Sequence, residues 1–275
     1  MRAISALPSS GMARRSERAP GTGALHERRR WVFEHIPPNA DRLLDAGCHD
    51  GESTAAFARR VRFALGFDAD VEALRHGAQI HAGKLCAASA DAIPFADGSF
   101  DCVVFSEVME HLPAEAEKAC VRELRRVCRE GGRLILTTPH RGRFWWLDPL
   151  MMKTHLRRVM HSLRNRAVPM KGHKHYHLDE LRALLDPYFE IEHVARVGCL
   201  LYPVAYWGYL LPFGLGRLPP LAALWQRMMD ADYLRECGDA AYNVCIIATA
   251  RGAWRAPQAA TSAALVPPSR DESQG

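Results

Sequence analysis

Residues 43–51, LLDAGCHDG, decide the fold of this chain, because a strand and a glycine-bearing turn meet there. The short apolar run that ends at Asp45 is typical of a strand buried in a sheet. Gly47 and Gly51 then permit a turn in which the backbone approaches a ligand closely. His49 lies between them, where a nucleotide-binding loop usually carries another glycine. The stretch therefore predicts a nucleotide-type ligand at the end of the strand.

Two common phosphate-binding loops do not fit this turn. The dinucleotide fingerprint G-x-G-x-x-G, started at Gly47, requires glycine where the chain has His49 and Glu52. A P-loop requires Gly-Lys followed by Ser or Thr, and that sequence does not follow here. The turn is therefore poorly suited to holding a pyrophosphate.

Strand-like and helix-like segments alternate on both sides of this stretch. The alternation predicts an α/β fold, with a mostly parallel, doubly wound sheet and helices on both faces. One helix is expected to run from residue 114 until the pair Gly131 and Gly132 stops it. The predicted strands are RLLDAG, RFALGFDAD, RLILTTP, FEIEHVARV and AYNVCIIATA, and the predicted helices include GESTAAFARRV, DVEALRHGAQI and HLDELRALLDPY. KLCAASADAIPF is expected to hold a short strand and a turn, and FDCVVFSEVMEHL a buried strand that turns into a helix.

The chain of 275 residues is long enough for one sizeable core. Composition predicts disordered tails at residues 1–25 and 253–275 and one domain at 26–252. Within that domain, residues 42–139 are expected to bind the cofactor, and residues 140–240 are expected to form an acceptor and lid region.

Charge and cysteine content narrow the class of protein. The net charge of +5 is accounted for by residues 1–30, so the rest of the chain is formally neutral, which argues against a nucleic-acid binder. The eight cysteines contain no C-x-x-C pair or zinc-like spacing, and most lie in apolar runs. Because the amino-terminal residues also lack the apolar run of a signal peptide, we expect a reducing, cytoplasmic location.

Five motifs follow one another in a fixed order. They are DAGCHDG at 45–51, GFD at 66–68, SADAIPFADGSFDCVV at 89–104, EHL at 110–112 and GGRLIL at 131–136. Together they resemble class I S-adenosylmethionine-dependent methyltransferases, in particular the type 11-like branch that acts on small molecules or lipids. The resemblance is good over residues 42–139 and looser up to residue 250. The first motif departs from the family pattern at His49.

The resemblance implies a Rossmann-like sheet of seven strands whose last strand is antiparallel, with an apolar insertion before that strand. It implies S-adenosyl-L-methionine as the cofactor. Asp68 is then expected to accept both ribose hydroxyls, and Asp45 the ammonium, while the helix that begins near Gly51 directs N–H groups at the methionyl carboxylate. The predicted cofactor-binding residues are Asp45, Gly47, Gly51, Asp68, Asp91, Ala92 and Ser106.

Other roles stay open for several of these residues. Asp45 could cap a helix, Asp68 could be a turn acid, and Asp91 and Ala92 contact adenine only if the ordered set of motifs holds. Ser106 is equally compatible with a cofactor contact and a loop. His49 is tolerable if its side chain points away from the cofactor or lies over it.

Histidines crowd the region after the fifth strand. His140 follows that strand, and His173, His175 and His177 alternate in GHKHYH, so they would share one face if the segment were extended. A metal site and solvated or capping histidines are alternatives. We predict no metal, and we take His140 and His175 as candidate general bases for an oxygen acceptor.

Two segments point to the class of acceptor. Residues 197–216 carry no charge, but Pro203, Pro212 and four glycines make one continuous membrane-spanning helix a poor interpretation. Residues 149–166 form a basic amphipathic pattern, compatible with binding at the inner membrane face or with packing on the domain itself. Both features favour a lipid-like, isoprenoid-linked or large apolar acceptor.

The sequence therefore predicts methyl transfer from S-adenosylmethionine to a small-molecule or lipid-like acceptor, with oxygen as the favoured acceptor atom and nitrogen or carbon as alternatives. An RNA or protein methyltransferase is the alternative among enzymes, because the basic segment could hold a polyanion. A non-catalytic binding protein with the methyltransferase fold is the other alternative, and His49 is its support in the sequence.

Overall fold

Seven strands form one sheet in the computed structural model, which describes residues 25–81, 84–143, 145, 174–199, 227–228, 231–233, 235–252 and 254. His173, the basic segment 149–166 and most of the apolar stretch 197–216 lie outside these residues, as do both predicted tails except Leu25 and Trp254. The helices are α1 (Leu25–His35), α2 (Glu52–Phe57), α3 (Val71–Ile80), α4 (Ala114–Val127) and α5 (Leu178–Leu185). The strands are β1 (Arg42–Ala46), β2 (Phe63–Asp68), β3 (Lys84–Ala87), β4 (Phe100–Ser106), β5 (Cys128–Pro139), β6 (Phe189–Val197) and β7 (Asn243–Ala250).

The strand order is β3-β2-β1-β4-β5-β7-β6. Strands β1 to β5 pair in parallel, and β7 is antiparallel to both of its neighbours. The predicted α/β, Rossmann-like sheet with an antiparallel last strand is therefore confirmed. The chain order reverses at β1, and ligands of such sheets bind outside the carboxyl ends of the strands at that reversal.

Strand β4 shows why the sheet has two cores. Its alternate side chains Val103 and Phe105 join one apolar cluster, and Cys102 and Val104 join the other. All four are fully buried, which fits a central strand covered on both faces. Helices α4 and α5 cover the first face, whereas α1 and Phe57 of α2 cover the second.

The helix predicted to run to the glycine pair is shorter than expected. Helix α4 ends at Val127, and Gly131 and Gly132 lie within β5. Arg125 is buried and donates through Nη1 to the Cys128 carbonyl at 2.9 Å, which satisfies a carbonyl at the helix end. The prediction was wrong because Cys128 already pairs with Phe100 of β4, so the helix ends before the glycines, and regular pairing of β5 with β4 resumes at Arg133.

Helix α1 was not recognised in the sequence, where its run of charged residues resembles the preceding tail. Trp31 and Val32 are nevertheless buried against the second face of the sheet. The Arg133 guanidinium, within β5, donates to the carbonyl of His35 at the end of α1, whereas Arg28 near the beginning of α1 pairs with Glu107, just beyond the end of β4. The beginning of α1 therefore lies towards the opposite, carboxyl edge of the sheet.

The structure also pairs two cysteines. Cys199 follows β6, Cys237 precedes β7, and a disulfide joins them across a Cα–Cα distance of 5.9 Å. This differs from the expectation of reduced cysteines, because disulfides are rare in reducing compartments. Six further cysteines are unpaired, and five of those are buried. Within the described ranges, no helix is long and apolar enough to cross a membrane.

Candidate active site

The turn after β1 places three residues in the left-handed region. Gly47 and Gly51 have φ near +78°, and His49 between them has φ of +52°. A Cβ on Gly47 would lie 2.3 Å from Val108 Cγ2, and one on Gly51 would lie 2.6 Å from Leu85 Cδ2. Both glycines therefore adopt a conformation that other residues rarely take, and at Gly47 the adjacent Val108 also leaves little space for a side chain. The close approach to Val108 places the turn directly against the end of β4.

His49 departs from the family pattern without blocking the turn. Its side chain is 73% exposed and so points to solvent. Its backbone N–H donates to Asp68 Oδ2 at 2.7 Å, which ties the turn to the end of β2. A non-glycine residue in this region costs about 1–2 kcal/mol, so His49 adds strain without filling the crevice.

Asp45 lies at the end of β1 and is only 4% exposed. The Thr54 hydroxyl donates to its Oδ2 at 2.7 Å. Burial raises the pKa of the Asp45 carboxyl to about 6, against the opposing effects of the Thr54 hydrogen bond and the Arg29 charge. Asp45 is thus a buried carboxyl that gains from a cationic ligand.

Asp68 ends β2 and holds two backbone donors. Its Oδ1 accepts from the Asp70 N–H at 2.8 Å, and its Oδ2 accepts from the His49 N–H. A carboxylate oxygen has two lone pairs, so each oxygen can accept one more donor. The carboxylate is therefore oriented by the backbone while it keeps capacity for two ligand hydroxyls.

Asp91 and Ala92 lie in the connection from β3 to β4, and both are exposed. The Ser89 hydroxyl donates to Asp91 Oδ1. The Ala92 N–H, which was expected to be a donor for adenine, donates to the Ser89 carbonyl at 3.1 Å. In this turn Asp91 has the more accessible polar group.

A network of polar side chains joins the ends of β4, β5 and β7. The Thr137 hydroxyl donates to Glu107 Oε1 at 3.0 Å, and Asn243 Nδ2 donates to the same oxygen at 2.9 Å. Because Thr137 has one hydroxyl proton, the 2.8 Å contact with Ser106 requires Ser106 to be the donor. Arg28 of α1 pairs with Glu107 Oε2 at 3.1 Å.

Glu107 itself has φ of +57°, in the left-handed region. Strained non-glycine residues cluster at functional sites and persist only where their surroundings hold them. Here the side chains of Thr137, Asn243 and Arg28 contact one carboxylate beside the Gly47 turn. In the sequence, Glu107 follows Ser106 at the end of the fourth strand and is, like Ser106, compatible with either a cofactor contact or a loop.

Glu110 is a second carboxyl near this network and is 1% exposed. Thr138 donates to its Oε2 at 3.2 Å. Burial and the nearby Glu107 charge raise the pKa of Glu110 well above its ordinary value. No group of three or more His, Cys, Asp or Glu in the described part of the chain is arranged to hold a metal ion.

His140 and His175 are both buried, at 4% and 6% exposure. His140 Nδ1 lies 3.3 Å from the Ala241 carbonyl, and burial lowers the pKa of its imidazole. The His175 ring packs near Tyr242 and Trp145, with centroid separations of 6.1 and 5.9 Å. Two histidines are thus placed together beyond the end of β5.

The predicted shared face of the histidines was wrong for the two that are described. His175 is buried, whereas His177 is exposed and precedes α5. The His177 N–H donates to Glu180 Oε2 at 2.8 Å, as at a helix start. The segment turns into a helix at this point, so alternation of side chains ends.

The carboxyl edge brings together most predicted site residues. Asp45, Gly47 and Gly51 meet Asp68 on one side and Ser106 on the other, in the order β2-β1-β4. Asp91 and Ala92 follow the outer strand β3. Several residues of this edge were not predicted as site residues from the sequence. Among them, Asn243 carries a visible signal, because it is a polar residue in an apolar strand. They include Arg28, Arg29, Thr54, Glu110, Thr137 and Asn243.

A family model described as a methyltransferase domain matches residues 44–136. The chain is 33% identical over 116 residues to the "Probable S-adenosylmethionine-dependent methyltransferase" of Mycobacterium tuberculosis (strain H37Rv), over 41% of this chain and 42% of that relative. It is 31% identical over 129 residues to the ubiquinone biosynthesis O-methyltransferase of Ralstonia nicotianae, over 43% and 53% of the two chains. The matches thus cover about half or less of each relative.

The fold is shared with geranyl diphosphate methyltransferase in complex with its cofactor. The TM-score is 0.55 at 17% identity, over 83% of this chain and 86% of that one. The cofactor implied by the family has ribose hydroxyls and no pyrophosphate. The remaining lone pairs of Asp68 can accept from those hydroxyls, and the glycine turn, which lacks a pyrophosphate-binding fingerprint, also fits this cofactor. Residues 44–136 therefore form a class I S-adenosylmethionine-dependent methyltransferase domain, with S-adenosyl-L-methionine as the cofactor.

Proposed function

We propose that the whole chain is an active methyltransferase that methylates an oxygen atom of a small-molecule or lipid-like acceptor. One observation carries the proposal. The buried Asp45, the sterically required Gly47 and the oriented Asp68 meet at the carboxyl edge, where the strand order reverses. A fold kept only as a scaffold would not need this combination.

In this proposal Asp68 accepts the two ribose hydroxyls and Asp45 accepts the ammonium. Gly47 and Gly51 let the backbone approach the cofactor, and Ser106 lies at its β4 side. Asp91, with Ala92 beside it, accepts from the adenine amino group. Bound S-adenosylmethionine supplies an electrophilic methyl group on its sulfonium, and the chain contributes positioning of the acceptor.

His140 is the proposed base for the acceptor hydroxyl. Because the Ala241 carbonyl can only accept, Nδ1 of His140 carries the proton and Nε2 is left as an acceptor. The lowered pKa keeps the imidazole neutral near pH 7, the form that can take a proton. His175, packed near Trp145 and Tyr242, is the second candidate for this role.

Both acceptor segments begin at the edge that carries the site. Strand β6 runs in the same direction as β5, since each is antiparallel to β7. The connection after Val197 therefore leaves and returns at the carboxyl edge. The Tyr242 N–H donates to the Gly198 carbonyl at 2.7 Å and holds the two ends together. This placement supports contact between residues 197–216 and the acceptor.

The chemistry of those segments favours an apolar acceptor. The uncharged residues 197–216 suit an apolar ring or tail, and the basic residues 149–166 suit an anionic group or a membrane surface. The O-methyltransferase relative from R. nicotianae is named for ubiquinone biosynthesis, which is compatible with a hydroxylated, lipid-like acceptor. We therefore propose peripheral contact with the inner membrane face and no nucleic-acid partner.

The first test is calorimetric titration of S-adenosylhomocysteine into the full chain and into Asp68→Ala. We expect saturable binding that weakens by about 30-fold or more in the variant, because two charge-assisted hydrogen bonds are lost. Asp70→Ala is the matched control. Asp70 caps α3 by accepting from the Glu72 and Ala73 N–H groups, so its loss should cost about 1 kcal/mol of stability without changing affinity.

Methyl transfer is then assayed with labelled cofactor on hydroxylated aromatics with and without an isoprenoid tail. Faster transfer to the tailed compounds supports the lipid-like acceptor. Transfer to RNA or protein instead would contradict the acceptor class, and absence of S-adenosylhomocysteine binding would favour a non-catalytic protein.

A further inference from the structure

The Cys199–Cys237 disulfide lies at the base of the connection between β6 and β7. It joins the residues just after β6 to the turn just before β7, across a Cα–Cα distance of 5.9 Å and a sequence separation of 38. Both cysteines are half-buried, and the neighbouring Arg235 and Glu236 are exposed. A small thiol in solution can therefore reach the two sulfurs.

We propose that Cys199 and Cys237 form a reversible thiol–disulfide site, which sets the position of His140 through the turn at residues 237–242. The site would exchange with small thiols and disulfides of the glutathione class. The sequence predicts a reducing compartment, where protein disulfides are usually transient and redox-sensing. The effect on methyl transfer rests on the proposed function, in which His140 is the base, whereas the redox change itself does not.

Exchange with such a reagent balances without any other co-reactant. On oxidation, a sulfur–sulfur bond forms between the two cysteines, and each thiol gives up one proton and one electron. The sulfur–sulfur bond of the small disulfide breaks, and its two sulfurs take up those protons and electrons to become two thiols. Reduction is the reverse reaction, and both directions pass through a mixed disulfide.

The other cysteines are poorly suited to this exchange. The thiolate is the reactive form of cysteine, and apolar surroundings disfavour it. Burial raises the pKa of all six remaining thiols. These six are Cys48, Cys86, Cys102, Cys120, Cys128 and Cys245. We therefore expect exchange at Cys199 and Cys237 in preference to the others.

The surroundings of the two sulfurs also accommodate the reduced form. The Arg235 carbonyl oxygen lies 3.2 Å from Cys237 Sγ and 3.8 Å from Cys199 Sγ. Each thiol can donate a weak hydrogen bond to that oxygen. The Cys237 N–H donates to the Arg196 carbonyl at 2.9 Å and does not depend on the sulfurs. Reduction should therefore loosen the turn without unfolding the domain.

The turn before β7 connects the disulfide to His140. The Ala241 carbonyl oxygen lies 3.3 Å from Nδ1 of His140, and the Tyr242 carbonyl accepts from the His140 N–H at 2.7 Å. The Asp239 carbonyl accepts from the Arg143 N–H at 2.6 Å. Because a disulfide restricts the chain that it closes, its reduction should let the turn move and so change the orientation of the His140 ring.

Counting thiols tests the redox site. The full chain is equilibrated in buffers of stepped reduced-to-oxidised glutathione ratio, quenched with acid, and alkylated after denaturation for mass spectrometry. We expect eight alkyl adducts in excess reduced glutathione and six in excess glutathione disulfide, since the chain has eight cysteines and six of them are unpaired. Cys237→Ser should form no internal disulfide at any ratio.

Two measurements test the link to His140. Burial lowers the pKa of the His140 imidazole, so reduction should move that pKa up towards its ordinary value. Magnetic resonance of the imidazoles measures the titration, with His140→Gln to identify the signal. The rate of methyl transfer to hydroxylated aromatic compounds should fall by about 5-fold or more on reduction, because the base is less well placed.

Controls separate this effect from cofactor binding and from cysteine loss in general. The calorimetric affinity for S-adenosylhomocysteine should change by less than about 2-fold on reduction, since the predicted cofactor residues lie on other strands. Cys237→Ser should match the reduced chain at every glutathione ratio. Cys86→Ser removes a cysteine from β3 and should respond to glutathione as the unaltered chain does.

Several results would overturn the inference. A pair that resists excess reduced glutathione would be a permanent structural disulfide, and a pair that never oxidises would not be a disulfide site. An unchanged His140 titration, or equal transfer rates in the oxidised and reduced chain, would break the link to catalysis. Failure of the unaltered chain to bind S-adenosylhomocysteine would instead overturn the proposed function, and the thiol count would still decide the redox site.

Discussion

Three alternating residues give the turn after β1 its shape. Gly47, His49 and Gly51 all have positive φ. The family pattern has glycine at all three positions, and glycine adopts positive φ without strain. At Gly47 and Gly51 a side chain would also collide with Val108 or Leu85. At position 49 the side chain reaches solvent, so only the conformational cost applies. This difference explains why histidine is tolerated at the middle position alone.

His49→Gly should raise the free energy of unfolding by about 0.5–1 kcal/mol, because glycine removes left-handed strain and loses part of that gain to chain entropy. Chemical denaturation measures the change. His49→Ala is the control, since alanine keeps the strain and removes the imidazole. Affinity for S-adenosylhomocysteine should be unchanged in both variants. If His49→Ala raised the free energy of unfolding as much as His49→Gly does, the effect would come from removal of the imidazole and not from relief of backbone strain.

Asp45 should make cofactor binding depend on pH. Its pKa of about 6 means that the carboxyl of the ligand-free protein is largely protonated below that pH. Pairing with the ligand ammonium needs the carboxylate, so the Kd for S-adenosylhomocysteine should rise as pH falls through 6, approaching tenfold per unit. Calorimetry between pH 5 and 8 measures this dependence. In Asp45→Asn the affinity for S-adenosylhomocysteine should be lower and should change little with pH.

The Asp45 carboxyl should lower the free energy of unfolding as pH rises, whereas it should strengthen cofactor binding as pH rises. The folded pKa lies above the ordinary value of 3.8, so the folded protein holds this proton more tightly than the unfolded chain. This contribution to stability is present below about pH 4 and is lost as pH rises through about 6. A melting temperature that rose over this window relative to Asp45→Asn would contradict the assignment.

Helix α3 depends on a glycine for its contact with the turn. A Cβ on Gly77 would lie 1.7 Å from the Asp50 carbonyl oxygen, which belongs to the backbone and cannot rotate away. The helix therefore packs directly on the loop that carries His49 and Gly51. Glycine is a poor helix former, so at this position close packing outweighs helix propensity.

Gly77→Ala should lower the free energy of unfolding by about 2 kcal/mol or more, although the same change in an exposed helix interior gains up to about 1 kcal/mol. Displacement of Asp50 should also weaken S-adenosylhomocysteine binding. His76→Ala, at the exposed neighbouring position, should change stability by less than about 0.5 kcal/mol. Stabilisation by Gly77→Ala, measured by denaturation, would show that the loop moves aside easily.

At the scale of the whole molecule, the residues proposed to bind the cofactor lie at one edge of the sheet. Strands β1, β2 and β4 end there with Asp45, Asp68 and Ser106, and the first turn of α1 reaches it through Arg28 and Arg29. The connections after β5 and β6 begin at the same edge, and the His140–Tyr176 bridge and the Cys199–Cys237 disulfide close them at their bases. The bases of both connections therefore lie at the same edge of the sheet as the predicted cofactor residues.

The resemblance to the methyltransferase family implied the antiparallel last strand, whereas the residues alone predicted the alternation of strands and helices and the edge that carries the acids. These follow from short apolar runs, glycine turns and acids at strand ends, which are local patterns that parallel pairing brings to one edge. The amino-terminal boundary of the domain was less clear, because the charges of α1 hid Trp31 and Val32.

Only the tertiary structure decided which partners meet across the chain. Arg29 contacts Glu52 across a sequence separation of 23 residues, and Asn243 contacts Glu107 across 136. No local sequence pattern indicates either contact. The end of α4 at Val127, the different surroundings of His175 and His177, and the left-handed Glu107 have the same origin. Burial and long-range pairing override local conformational propensity at these positions. The contacts responsible join residues that are distant in sequence, so they exist only once the sheet has formed.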